Sequence, residues 1–414
     1  MSKRRVVITG MGAVTPFGVG VNKFWDSIVA GQNGISITEG LDEGHTVKIS
    51  GQVKDFDPEK YINPKDAKRM DRYAQFGLVA ADEAIEDAKL VGVDIDPYKI
   101  GVIVSSAAGG FRTLEKSHKS MLDRGKCSPF TIPMMIADMA SGKISMKYGF
   151  KGVNKAVLSA CATGTHSIGD AFRAIQYGDA DIMVAGGCEA TICDIGIGAF
   201  TAAKTLSKRN DDPAHASRPY DIDRDGFVMS EGAGVLVLED YETAKKRGAH
   251  IYAEIVGYGQ SADAYDMVAP DPEGKGASKA MEFALADAGL KPTDVQYINT
   301  HGTSTGLGDI AESIAVEQLF GDKEHNKNLF VSSTKSMHGH MLGATGAVES
   351  IACIETINNK IVPPTTNLEH QDEHVANLNY VPNKAQKAEI KVALSNSFGF
   401  GGHNATLIFK EIID

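Results

Sequence analysis

No stretch of this chain is apolar for long enough to cross a bilayer, which takes about 20 residues. Positive charge is also short. Lys and Arg number 42 against 53 Asp and Glu, a net charge of −11. Phosphate neutralisation needs the opposite balance, so general nucleic-acid binding is excluded. Cysteine is scarce: Cys127, Cys161, Cys188, Cys193 and Cys353 are odd in number and never spaced CxxC. They read as free thiols in a reducing compartment, not as a disulfide framework. Met1-Ser2-Lys3-Arg4-Arg5 before Val6-Val7-Ile8 loosely mimics a secretory signal. Thr9, Gly10, Gly12 and Thr15 interrupt the apolar run, however, and no cleavage site follows. A soluble cytoplasmic protein without membrane insertion is expected. No Pro/Ser-rich linker or low-complexity tract divides the chain, so it is expected to pack as one body.

What is present is a regular βαβ rhythm. Strands are predicted at Arg5–Thr9, Ile100–Ser105, Ala156–Ser159, Ile182–Ala185 and Gly234–Leu238, then at Ile251–Tyr258, Val295–Asn299, Leu329–Ser332, Ile390–Ser395 and Ala405–Phe409. Alanine-rich amphipathic stretches, Gln75–Lys89, His166–Gly178 and Ser278–Ala288, are predicted helices. The alternation implies an α/β protein with sheets covered on both faces. A weak internal echo relates residues 231–239 to 401–409, and the segment around Cys161 to Val331–Ile351. Two halves of related topology, residues 1–250 and 251–414, would explain both.

Cys161 ends the apolar run Ala156-Val157-Leu158-Ser159-Ala160 and opens a helical stretch. A thiol at a helix start meets unpaired N–H groups, which pull its pKa from about 8.5 toward neutrality. Two histidines also follow predicted strands: His301, in Thr300-His301-Gly302-Thr303-Ser304-Thr305, and His340, in Lys335-Ser336-Met337-His338-Gly339-His340. Either can move a proton or donate to an oxyanion near neutral pH. Lys335 and Glu349 suit a buried ion pair that orients such a histidine. Asn396-Ser397-Phe398-Gly399-Phe400-Gly401-Gly402 is a glycine-dense turn, able to supply an oxyanion N–H and a phenylalanine gate.

Taken together, Ala160-Cys161-Ala162-Thr163-Gly164, His301-Gly302-Thr303-Ser304-Thr305, Ser333-Thr334-Lys335-Ser336-Met337 and Gly399-Phe400-Gly401-Gly402 resemble the β-ketoacyl-acyl-carrier-protein synthases. The type II synthases of bacterial fatty-acid synthesis are the nearest match, across essentially the whole chain. The resemblance implies a thiolase fold, α-β-α-β-α in five layers with two pseudo-repeated halves, and a homodimer. It implies that Cys161 is acylated from a carrier protein's phosphopantetheine, with the N–H groups of Cys161 and Phe400 holding the oxyanion. His301 and His340 would assist decarboxylation of malonyl-carrier protein, Lys335 and Glu349 would support them, and Thr303 and Thr305 would touch the pantetheine arm. No cofactor or metal is implied. Lys65, Lys68, Arg69, Arg72, Arg124 and Lys126, with Lys204, Lys208 and Arg209, are candidates to dock an acidic acyl carrier protein.

The chain departs from the family pattern at Gly306, where proline is usual, His338 (threonine), Ser230 (glycine), Asp266 (histidine) and Val268 (threonine). Ala108 and Thr131 replace bulkier residues and predict a roomier acyl pocket. A specialised ketosynthase of a secondary lipid, polyene or polyketide pathway is the alternative. Thiolases need a second reactive cysteine, absent from Phe398–Asn404; a papain-like hydrolase would lack its orienting motif; a non-catalytic partner subunit would lack Cys161. Gly10-Met11-Gly12-Ala13-Val14-Thr15 misses the third glycine of a dinucleotide loop. His338 with His340, and His370 with His374, have no accompanying metal-ligand set.

Overall fold

The computed structural model describes residues 3–321 and 328–412. A ten-stranded sheet runs through them. Its main strands are β1 (Val6–Thr15), β2 (Ile100–Ser105), β3 (Ile182–Glu189), β4 (Gly232–Asp240), β5 (Ala253–Ala262), β6 (Tyr297–Asn299), β7 (Phe330–Ser332), β8 (Val392–Gly399) and β9 (His403–Lys410). Their spatial order is β7-β6-β8-β9-β5-β1-β4-β3-β2. In the first half β2 is parallel to β3, and β4 and β1 follow antiparallel. In the second half β6 is parallel to β8, and β9 and β5 follow antiparallel. The same succession thus occurs twice, with the echoing segments β4 and β9 in equivalent places. The halves join where β1 meets β5, at Val6, Val7 and Ile8.

Eight helices carry the argument: α1 (Arg72–Asp87), α2 (Phe111–Arg124), α3 (Thr131–Met135), α4 (Thr163–Gln176), α5 (Lys275–Ala288), α6 (Gly306–Phe320), α7 (Lys335–His338) and α8 (Thr345–Asn359). Helix α1 covers β1, β3 and β4, and α5 covers β5 and β9. Between the halves lie α4, against β2 and β3, and α8, against β4 and β8. Both are buried over most of their length because sheet covers them on two sides. The result is the expected α-β-α-β-α layering.

Three expectations are corrected. Strand β1 runs on to Thr15 because Gly10 and Gly12 are points of close approach, not breaks. A Cβ there would stand 2.2 Å from the Ala84 carbonyl oxygen and 1.9 Å from that of Ala80, both on α1. That placement also removes the dinucleotide-loop reading. The predicted helices begin three residues too late: α1, α4 and α5 start at Arg72, Thr163 and Lys275. Ala156–Ser159 is not a strand. Pairing with β2 amounts to one bridge, Val102 to Asn154, after which Ser105 Oγ accepts the Val157 N–H at 3.0 Å in place of a ladder carbonyl.

Candidate active site

Cys161 lies in a 3₁₀ turn, Ala160–Ala162, that leads directly into α4. Ala160 adopts φ 50°, and Leu342, its counterpart before α8, adopts φ 46°. These two strained turns pack together, so each half supplies one tight entry into a buried helix. The end of β8 comes down on the first of them: a Cβ on Gly399 would lie 2.7 Å from Ser159 O and 3.0 Å from the Cys161 nitrogen. Only glycine lets the Phe400 loop approach the thiol so closely.

One ring nitrogen each of His301 and His340 and the Cys161 sulfur lie within 4.8 Å of one another. The two rings meet edge to face at 5.2 Å. His301 is held from behind, where Glu312 of α6 accepts its backbone N–H at 2.8 Å and that of Gly302 at 2.7 Å. His340 is threaded through a parallel bridge to Met229, and its Nδ1 is 3.0 Å from Thr345 Oγ1. His301 Nδ1 and His340 Nε2 are buried without a hydrogen-bond partner. Such groups are free for a substrate.

Lys335 is 1% exposed, and its Nζ donates to both oxygens of Glu349, at 2.6 and 2.8 Å, and to Thr300 O at 3.3 Å. Burial pushes the Glu349 carboxyl up to about 7, against the pull of Lys335. Burial, reinforced by the Lys335 charge, holds both imidazoles well below their ordinary range, and hence neutral. The thiol corrects the expectation from sequence. Burial pushes Cys161 up to about 12, and Glu189 adds to the rise. Lys335 and the N–H groups of Phe400 and Cys161 oppose it without prevailing. The resting group is a thiol, and those two N–H groups face its sulfur.

A cavity of about 500 Å³ opens over this cluster, lined by Cys161, His301, His340 and Phe400. Thr303 and Thr305, their hydroxyls 3.0 Å apart, line it further out. Gly306 starts α6, where proline would fit equally well, so that departure leaves the threonines in place. Val268 borders the cavity on a loop turned by Asp266 Oδ1, which accepts the N–H groups of Val268 and Ala269 at 2.8 and 2.9 Å. Ser230 Oγ donates to Gly51 O at 2.8 Å, and its N–H to His340 O, bracing the His340 segment.

Other expected site residues lie elsewhere. Ala108 and Thr131 do not line the cavity. Thr131 starts α3, its hydroxyl 3.0 Å from Ser117 Oγ. Lys65, Lys68, Arg69, Arg124 and Lys126 are exposed, and the Arg69 guanidinium lies over the Phe130 ring at 4.7 Å. Arg72 turns inward instead, to Glu231 at 2.9 Å. Lys204 stands at the cavity mouth.

Two buried carboxylates were missed from sequence. Glu312 is one; Glu189 is the other, accepting from Ser106, Ala107, Thr191 and Gly343. A charged residue between apolar ones on a helical stretch, as in Ile310-Ala311-Glu312-Ser313-Ile314, was the available signal for Glu312.

A thiol and two neutral imidazoles beneath a cavity, on a doubled α/β scaffold, define a cysteine-dependent acyltransferase of the thiolase type. Comparison with known proteins agrees. Residues 3–244 match the beta-ketoacyl synthase N-terminal domain, and residues 252–369 its C-terminal domain. A Synechocystis protein called 3-oxoacyl-[acyl-carrier-protein] synthase 2 is 49% identical over 414 residues, 99% of each chain. A Staphylococcus aureus protein of the same name is 50% identical over 411 residues, 99% of this chain and 98% of that one. Among solved structures, a Burkholderia phymatum beta-ketoacyl synthase superposes with TM-score 0.92 at 34% identity, over 99% of this chain and all of that one. A type II polyketide acyl-carrier protein complexed with its ketosynthase gives 0.91 at 37%, over 99% and 100%. The chain belongs to the β-ketoacyl synthase family, the condensing acyltransferases.

Proposed function

We propose that this enzyme is a 3-oxoacyl-acyl-carrier-protein synthase that extends a fatty-acyl chain by two carbons. The convergence of the Cys161 sulfur and two imidazole nitrogens within 4.8 Å, under an open cavity, carries the reading. Acyl-carrier protein enters past Lys204, its pantetheine arm lying along Thr303 and Thr305. The Cys161 sulfur bonds to the thioester carbonyl carbon while its proton passes to a neighbouring imidazole, and the N–H groups of Cys161 and Phe400 hold the oxyanion. The carbonyl re-forms as the carrier's thiolate leaves and takes the proton. Malonyl-carrier protein follows. Its carboxylate departs as carbon dioxide, and the electron pair becomes an enolate whose oxygen accepts hydrogen bonds from His301 and His340. The enolate carbon attacks the acyl-cysteine carbonyl, the carbonyl re-forms, and the Cys161 sulfur leaves as thiolate and takes a proton from solvent entering by the cavity. Neutral imidazoles suit this work, since they donate without protonating the carbanion. The loss of carbon dioxide drives the step, so the reading calls for no nicotinamide or metal.

Work divides between residues 1–250, which hold the nucleophile, and 251–414, which hold both histidines and the lysine. The exposed Lys65, Lys68, Arg69, Arg124 and Lys126 suit an acidic carrier protein. A homodimer is part of the reading, as the family resemblance implies, and large apolar side chains such as Leu122, Ile132 and Leu158 are exposed to meet a second copy. No helix among the described residues is long and apolar enough to cross a membrane; action in the cytoplasm is part of the reading, consistent with five free cysteines. The deciding experiment is elongation of acyl-carrier protein by malonyl-carrier protein, run beside Cys161→Ala. The variant loses condensation and keeps malonyl decarboxylation; retained condensation would overturn the assigned nucleophile.

A further inference from the structure

His338 is fully buried, two residues before His340, and has no part in the chemistry above. Its Nδ1 lies 2.7 Å from Gly339 O, a carbonyl that can only accept, so Nδ1 carries the proton. Burial, with Lys335 nearby, pulls the ring down to about 3 and keeps it neutral. Nε2 therefore offers a lone pair, and the atom facing it is Thr334 Oγ1 at 3.0 Å. A hydroxyl has one hydrogen to give. Once Thr334 donates to His338, its 3.4 Å contact with Glu349 Oε1 has no proton in it, although Asn299 Nδ2 at 3.4 Å can still donate to the hydroxyl oxygen. Among the described residues, the other side chain donating to Glu349 is Lys335.

We propose that His338 is a positioning residue that draws the Thr334 hydroxyl away from Glu349 and so tunes the Lys335–Glu349 pair behind the catalytic histidines. This rests on the condensing reading above. Withholding a donor from a buried carboxylate disfavours its charged form, so Glu349 keeps its proton to higher pH than it would with the hydroxyl in hand. Other groups facing Glu349 are Glu312, which reinforces the rise, and Cys353 and Tyr297, which stay neutral. Lys335 also faces Cys161, His301, His340 and Glu312. A change in the charge balance of the pair therefore reaches the reacting groups.

The test is the pH profile of kcat for malonyl-carrier-protein decarboxylation and for condensation in four variants. His338→Leu keeps the volume and releases the hydroxyl to Glu349, and its acid limb moves down by about half to one pH unit. His338→Gln places an acceptor where Nε2 was and leaves the limb in place. Thr334→Val also leaves it in place, because Glu349 was not using that hydrogen. The double variant His338→Leu/Thr334→Val returns to the wild-type position. An unmoved limb in His338→Leu, or an upward move in Thr334→Val, overturns the proposal. Titration of the Glu349 carboxyl by ¹³C NMR, assigned against Glu349→Gln, reads the same shift without turnover. If the wild type neither decarboxylates nor condenses, the condensing reading fails while the NMR arm still decides. Identical Glu349 titrations in wild type and His338→Leu sink the proposal whatever the activity.

Discussion

At the level of single residues, burial outranks the local features that make a cysteine look reactive. The helix start, the two N–H groups and Lys335 all favour thiolate, yet the thiol sits high because it is enclosed. Iodoacetamide modification of Cys161, followed by mass spectrometry, should therefore accelerate steadily through pH 9 without a plateau. A plateau near pH 8 or below would show that the thiolate is already stabilised at rest. Cys161, His301, Lys335 and His340 were legible in sequence because each stands in a small-residue turn beside a strand or helix end. Glu312 and Glu189 were not, since their meaning lies in N–H groups that only the fold brings against them. Glu312→Ala leaves the His301 and Gly302 N–H groups unpaired, at a cost of roughly 2–3 kcal/mol in folding stability. Malonyl decarboxylation should fall about tenfold or more, while acyl transfer to Cys161 changes less. Equal losses in both half-reactions would mean that Glu312 supports the fold and not His301.

At the level of elements, sequence patterns located cores better than ends. Helices α1, α4 and α5 begin in turns that carry little apolar signal, so periodicity finds them three residues late. Glycine misled in one direction only. Gly10 and Gly12 read as breaks but mark where α1 presses on β1, and Gly399 marks where β8 presses on the Cys161 turn. Gly399 shows how sensitive that contact is. An alanine methyl there must displace the Ser159 carbonyl at 2.7 Å or lift the Phe400 loop. Gly399→Ala should cost about 1–3 kcal/mol of stability and lower acyl transfer at least tenfold through the displaced Phe400 N–H. A variant with wild-type acylation kinetics would remove Phe400 from the oxyanion site. The Ala156–Ser159 error has a comparable cause. An apolar run was taken for a strand, but Ser105 Oγ occupies the Val157 N–H and ends the ladder.

At the level of the whole molecule, the doubled topology was legible as a faint echo because equivalent strands keep equivalent surroundings. Assembly entered only through the family resemblance, which implies a homodimer, for an interface depends on which side chains share a face. Leu122, 73% exposed on α2, Ile132, 60% exposed on α3, and Leu158, 57% exposed just before the Cys161 turn, are among the large apolar side chains left in solvent. Leu158 follows shortly after the Val102–Asn154 bridge at β2, the edge strand of the first half, which has no further partner strand among the described residues, and α2 and α3 lie in the chain between β2 and that bridge. An open sheet edge beside uncovered apolar side chains favours a second copy. Two-fold symmetry would set the same segments against each other. Leu158→Asp combined with Leu122→Asp would place four carboxylates in such an interface, and sedimentation velocity should show the dimer giving way to monomer. Since the Leu158 segment leads straight into Ala160–Cys161, the monomer should also lose condensing activity while its far-ultraviolet circular dichroism stays native. A double variant that remains dimeric at micromolar concentration would move the interface elsewhere. A fully active monomer would show that one chain closes its own active site.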